Sequence, residues 1–135
     1  MKKINDAIYT LFTTKTGGVY PALHINLGGR LYGMNAPQKA TWPYGIFFPV
    51  SDVPDYLFDK TLTTSRVQFS LFSSDESSSN IETLYDNLTT LYDWCKLTLT
   101  SVTFLYMKRL NSTLLRDPND MYWMYHIDYE LMTDI

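Results

Sequence analysis

The chain has 135 residues, of which 45 % are hydrophobic and 19 % charged, and its net charge is −3. That length predicts a single domain over residues 1–135 with one core. The mild acidity argues against a dedicated nucleic-acid binder, which carries a basic patch. The lone cysteine, Cys95, excludes an intrachain disulfide and a zinc site built on several cysteines.

No apolar run approaches the length that spans a membrane. Asn5 and Asp6 interrupt the basic start "MKKINDAIYTLF" before a signal-peptide core can form. Folding in a reducing cytoplasm is the expectation, and the glycosylation-like "NLT" at Asn87 and "NST" at Asn111 read as chance matches.

In chain order, Ile4, Ala7, Ile8, Leu11 and Phe12 recur at helical spacing and predict an amphipathic helix over 4–13. Residues 14–29 read as a loop containing His24. The pairs Gly17-Gly18 and Gly28-Gly29 suit turns with positive φ. Short strands are expected at 30–34 and 44–49. Between them Pro37 and Pro43 hold Ala36 and Trp42 extended. Pro49 either ends the second strand or confines it to an edge.

A loop is expected over 50–65, then a strand in "SRVQFSLFS". There Val67, Phe69 and Leu71 face one way, and Arg66, Gln68 and Ser70 the other. After the polar run "SSDESSSN", Ile81, Leu84, Tyr85, Leu88, Leu91, Tyr92 and Cys95 form one apolar stripe of a helix over 80–95. Asp86, Asn87, Thr90 and Asp93 lie opposite, and Ser79 with Glu82 fits a capping box.

In "TSVTFLYMKRL", Val102, Phe104 and Tyr106 are expected to share a face with Lys108. A loop over 111–120, with the turn signal "DPND", leads to the closing strand "MYWMYHIDYELM". Its Trp123, Tyr125, Ile127, Tyr129 and Leu131 face one side; Tyr122, Met124, His126, Asp128 and Glu130 face the other. The order of helix, three strands, helix and two strands predicts an α+β fold. About five largely antiparallel strands carry two helices on one face. The second face is left partly polar, or apolar and open to a partner.

The best catalytic candidate is the row His126, Asp128, Glu130, whose period-two spacing gathers an imidazole and two carboxylates on one strand face. Such a set suits a hard divalent ion or acid–base work; the competing reading is a solvated or interface-facing strand side. Cys95 reads as a buried structural thiol, and "GGRLYG" lacks the pattern of a phosphate loop. No cofactor or metal site is expected. Eleven tyrosines and three tryptophans suit base stacking on a sheet, but that mode needs a basic groove. A protein–protein interface, enriched in Tyr, Trp and Met, accounts better for those outside the core.

"GRLYGMNAPQKATWPYGIFF" resembles the signature of the tail-completion or tail-terminator proteins of long-tailed bacteriophages. The matching residues are Arg30, Leu31 and Tyr32, then Pro37, Gln38 and Ala40, then Pro43 and Tyr44. "SRVQFSLFS" resembles that family's arginine-led strand and "HIDYELM" its closing strand, while "TKTGGVYPALHINLGG" is longer than the family pattern.

The resemblance implies a non-enzymatic α+β subunit of a ring, commonly a hexamer, in the virion neck. The ring caps the tail tube, stops its polymerisation and meets the head–tail connector or stopper, and DNA passes through without specific binding. Arg30, Tyr32, Pro37, Gln38, Pro43, Tyr44, Asp52 and Arg66 are then the motif and candidate interface residues. The segments 14–29, 50–65 and 111–120 are candidate contact loops.

Overall fold

A computed structural model describes residues 2–134. Its elements are α1 (Lys2–Thr13), α2 (Ala22–Leu27), β1 (Leu31–Gly33), β2 (Tyr44–Tyr56), β3 (Thr61–Ser73), α3 (Ser79–Tyr92), β4 (Thr103–Arg116) and β5 (Trp123–Asp134). The strands form one sheet in the order β1-β2-β3-β5-β4. β1 runs parallel to β2 and every other neighbouring pair is antiparallel. The class is α+β, as the element order predicts.

The core follows from the two periodicities. On α3, Ile81, Leu84, Leu88 and Tyr92 are buried; on α1, Ile4, Ala7, Ile8 and Phe12 are. They join Phe47, Val67, Phe69, Leu71, Ile127, Tyr129 and Leu131 from one sheet face in a single hydrophobic cluster. Each fully buried large side chain contributes about 1.5–3 kcal/mol. Phe69 sits at the centre, its ring 4.7 Å from Tyr92, 5.6 Å from Tyr129 and 6.0 Å from Phe47. The buried Tyr92 hydroxyl donates to the Ile8 carbonyl at 2.8 Å and ties α3 to α1.

Several expectations are corrected. Residues 14–29 are not a loop: they hold a small turn, bridged Thr16 to Val19, and α2. His24 therefore lies on a helix, stacked 3.8 Å from Tyr20. Leu23 and Leu27, one turn apart, bury α2, and Gly28 closes it with φ 61°, where a side chain would be strained. Six residues are too few to show a helical period.

β2 does not end at Pro49. It runs to Tyr56, with a bulge between Pro49 and Ser51, and pairs with β3 as a long hairpin in place of the 50–65 loop. β1 covers β2 only at Gly45–Phe47, so beyond that point β2 is an edge strand, where proline is tolerated.

β4 likewise consumes most of the expected 111–120 loop. Bulges at Leu105 and Leu110 break its alternation. Phe104 pairs with Thr133 and Met107 with Leu131 on the core face, while Tyr106 pairs with Met132 on the other face.

The capping box is absent. Ser78 is the N-cap with helical backbone and no side-chain cap bond, and Ser77 Oγ accepts the Ser79 N–H at 3.1 Å. α3 ends at Tyr92 because Trp94, at φ 54°, turns the chain and donates its N–H to the Met107 carbonyl.

Phe69→Ala is expected to cost about 3–5 kcal/mol in urea unfolding. Tyr92→Phe, which removes one donor, is expected to cost about 1 kcal/mol with the fold retained.

Candidate assembly surface

Half the side chains of every strand point away from the helices. On β3 and β5 these are Arg66, Gln68, Ser70 and Phe72, paired across the ladder with Glu130, Asp128, His126 and Met124. β2 adds Tyr44, Ile46 and Phe48 to the same face. β4 adds Tyr106, Lys108, Asn111, Thr113 and Leu115. Among the described residues no helix covers this side.

Its chemistry divides in two. Towards one end lies a ladder of neutralised charge. Arg66 reaches Asp128 at 3.6 Å, Lys108 reaches Glu130 at 3.4 Å, and the Tyr106 hydroxyl donates to Glu130 at 2.9 Å. Loss of hydration together with the Glu130 bond raises the Tyr106 pKa. His126 Nδ1 and the buried Ser70 hydroxyl are 2.8 Å apart.

The row His126, Asp128, Glu130 is therefore on one face as its spacing requires, but each member is engaged by a different neighbour. Among the described residues no three His, Cys, Asp or Glu side chains converge on a point where a metal could sit. The arrangement is suited to holding strands in register.

Towards the other end is an aromatic patch of Tyr32, Trp42, Tyr44, Phe72 and Tyr122. Tyr44 and Phe72 stack at 4.9 Å, with Trp42 5.2 Å from Tyr44 and 5.3 Å from Tyr122. Burial raises the Tyr44 pKa. The patch is built on Arg30, whose Nε donates to the Pro43 carbonyl at 2.9 Å while its own carbonyl accepts the Gly45 N–H at 2.9 Å. One side chain thus clamps the segment before β2 to the start of β1. Gly45 is close-packed; a Cβ there would lie 3.0 Å from a Leu71 methyl and 3.1 Å from a Leu31 methyl.

The motif residues do not form one site. Arg30, Tyr32, Pro43 and Tyr44 gather at this corner. Pro37 and Gln38 lie on the exposed turn beside it. Asp52 is farther along β2, accepting the Ser65 hydroxyl, and Arg66 belongs to the charge ladder.

The candidate contact segment 50–65 contains the hairpin tip, where Tyr56, Leu57 and Phe58, which sequence reasoning did not single out, are exposed together. The signal was present in "DYLFDK", an apolar triplet held between aspartates ahead of a threonine-rich strand.

No protein-family model matches the chain, and no curated protein sequence matches it. Among solved structures, one chain described as "Virion of native gene transfer agent (GTA) particle" is similar at a TM-score of 0.85. The likeness covers 99 % of this chain and 96 % of that one. The fold is shared end to end. Identity is 10 %, so what the two chains share is backbone architecture.

Cys95 borders the core, its Sγ 3.5 Å from the Met107 sulfur, and burial pushes its pKa up to about 12. An ordinary thiol near 9.0 ionises about a thousandfold more readily than one at about 12. Thiol labelling of the native protein at pH 8 should be markedly slower than that of the unfolded chain. Because the unfolded thiol loses its proton first, stability should fall as pH rises from about 9 towards 12. Equal labelling rates would show that the thiol is exposed. For the clamp, Arg30→Ala is expected to cost about 1–2 kcal/mol and to speed amide exchange at Gly45; unchanged exchange would refute the clamp.

Proposed function

We propose that this chain is a non-enzymatic structural virion protein. In this reading it forms the tail-terminator ring at the head–tail junction, capping the tail tube and joining it to the head–tail connector or stopper. The observation that carries the reading is the end-to-end fold likeness to a chain of a virion particle. The ordered motif residues Arg30 to Tyr44 and the arginine-led strand at Arg66 add the finer assignment.

Surface physics agrees with an assembling subunit. An uncovered aromatic patch beside a neutralised charge ladder has the character of a protein interface, apolar at its centre and polar around it. A net charge of −3 suits a ring that DNA must pass through, because like charge keeps phosphates from adhering. Both sheet edges are blunted, β2 by Pro49, Pro54 and a bulge, β4 by two bulges with Lys108 and Arg109 nearby. Such edges discourage strand addition, so contacts between copies rest on side chains.

The same features suit another neck ring, a connector or stopper, because likeness to a virion chain does not by itself select the ring. Tail tubes separate the readings. Purified protein is expected to form rings, a hexamer being six times 15.7 kDa or about 94 kDa. Added to polymerising tube protein, it should bind tube ends and shorten the tubes. Rings that ignore tubes but bind the head connector would select the neck-ring alternative; a strict monomer that binds neither would overturn both.

A further inference from the structure

The hairpin of β2 and β3 ends in Asp55-Tyr56-Leu57-Phe58-Asp59. Tyr56, Leu57 and Phe58 are exposed, Phe58 fully, and the turn is closed by the Leu57 N–H donating to the Lys60 carbonyl at 2.8 Å. Three large apolar side chains concentrated at one tip mark a contact site, where scattered ones would not.

Partway along the same hairpin, beside Asp52, Thr63 and Ser65, is a cleft of about 360 Å³. Ile4, Leu99 and Val102 supply its apolar wall, and Lys2 and Lys3 stand at its rim. Its size falls within the roughly 300–1,000 Å³ of clefts that bury small ligands, ample for one aromatic side chain.

The charges are complementary. Asp55 and Asp59 flank the tip, and the neighbouring Lys60 is directed to Asp134 at 4.0 Å. Lys3 donates to the Thr100 carbonyl at 2.9 Å and has no carboxylate among its described partners. Among the described residues Lys2 pairs with the exposed Asp6, and Asp52, the acid within the cleft, is engaged by the Ser65 hydroxyl.

We propose that Phe58 of one copy fills this cleft in the next copy, with Asp55 and Asp59 set against Lys2 and Lys3. The inference rests on the ring reading and supplies its contact. The tip cannot reach its own cleft, because pairing of Val53 with Thr64 and Asp55 with Leu62 holds the arm straight. From Pro54, paired with Thr63 of the cleft, to Phe58 that arm spans about 13 Å. Tip and cleft are different surfaces of one subunit, so the contact is heterologous. In a head-to-tail dimer it leaves one tip and one cleft free, which further copies fill until the chain of copies closes.

The test uses two exposed-site variants, Phe58→Asp at the tip and Lys3→Glu at the rim, with Val102→Asp as a second cleft variant. Each is expected to keep the wild-type melting temperature and to raise the dissociation constant of the ring at least about 30-fold, as loss of a buried anchor does. Phe58→Asp and Val102→Asp mixed at about 1 mM should form a species of twice 15.7 kDa, about 31 kDa, because one supplies an intact cleft and the other an intact tip. Adding Asp59→Lys to Lys3→Glu should restore rings.

Rings that persist in folded Phe58→Asp would overturn the docking while leaving the ring reading intact. Variants that mix without forming the 31 kDa species would also overturn it. A wild-type protein that stays monomeric at about 1 mM would overturn docking and ring reading together.

Discussion

The structure depends on a sheet that the described residues cover on one side only. Three helices of 12, 6 and 14 residues lie on one face of a sheet whose long strands run 12 to 14 residues. Because side chains alternate along a strand, each residue sent into the core at Phe69 or Tyr129 obliges its neighbour to point away from the helices. The protein therefore has a second face whether or not a partner waits for it. A free subunit must stay soluble with that face exposed, and an assembling one must still offer something to bind. Paired charges at Arg66–Asp128 and Lys108–Glu130 suit the first demand, and the Trp42–Tyr44–Phe72–Tyr122 patch has the chemistry for the second.

The edges carry the same logic. A five-stranded sheet has two edges, each an unpaired row of backbone donors and acceptors that would add further strands without limit. Pro49 and Pro54 remove donors from the exposed length of β2, and bulges at Leu105 and Leu110 twist β4. Open-ended sheet growth is thereby discouraged. Contacts that close, between distinct side-chain surfaces, are left as the route to a defined assembly.

The sequence was most legible where burial is one-sided and continuous. Ile81 to Tyr92 on α3 and Trp123 to Leu131 on β5 alternate as they do because one face is core, so pattern and structure agree. It was least legible where a single extra residue resets the pattern. The bulge at Leu105 brought Met107 to the core in place of Tyr106, and nothing local to "FLYMK" announces it. α2 is shorter than two helical turns, and its burial of Leu23 and Leu27 is a tertiary fact. Pro49 could read as a stop because the partial cover given by three-residue β1, which leaves the rest of β2 at the edge, is visible only in the folded sheet. Of the motif residues, Arg30 gained a physical role, clamping Pro43 and Trp42, that spacing alone could not assign.

The proposed place of this chain is a ring of the virion neck. The most direct measurement is electron microscopy of virions carrying a small tag on this chain, placed at the exposed turn around Gln38. A neck ring would place the label only at the junction of head and tail, as a ring at the end of the tail tube. Label along the tube, at the distal tip or absent from purified virions would contradict it.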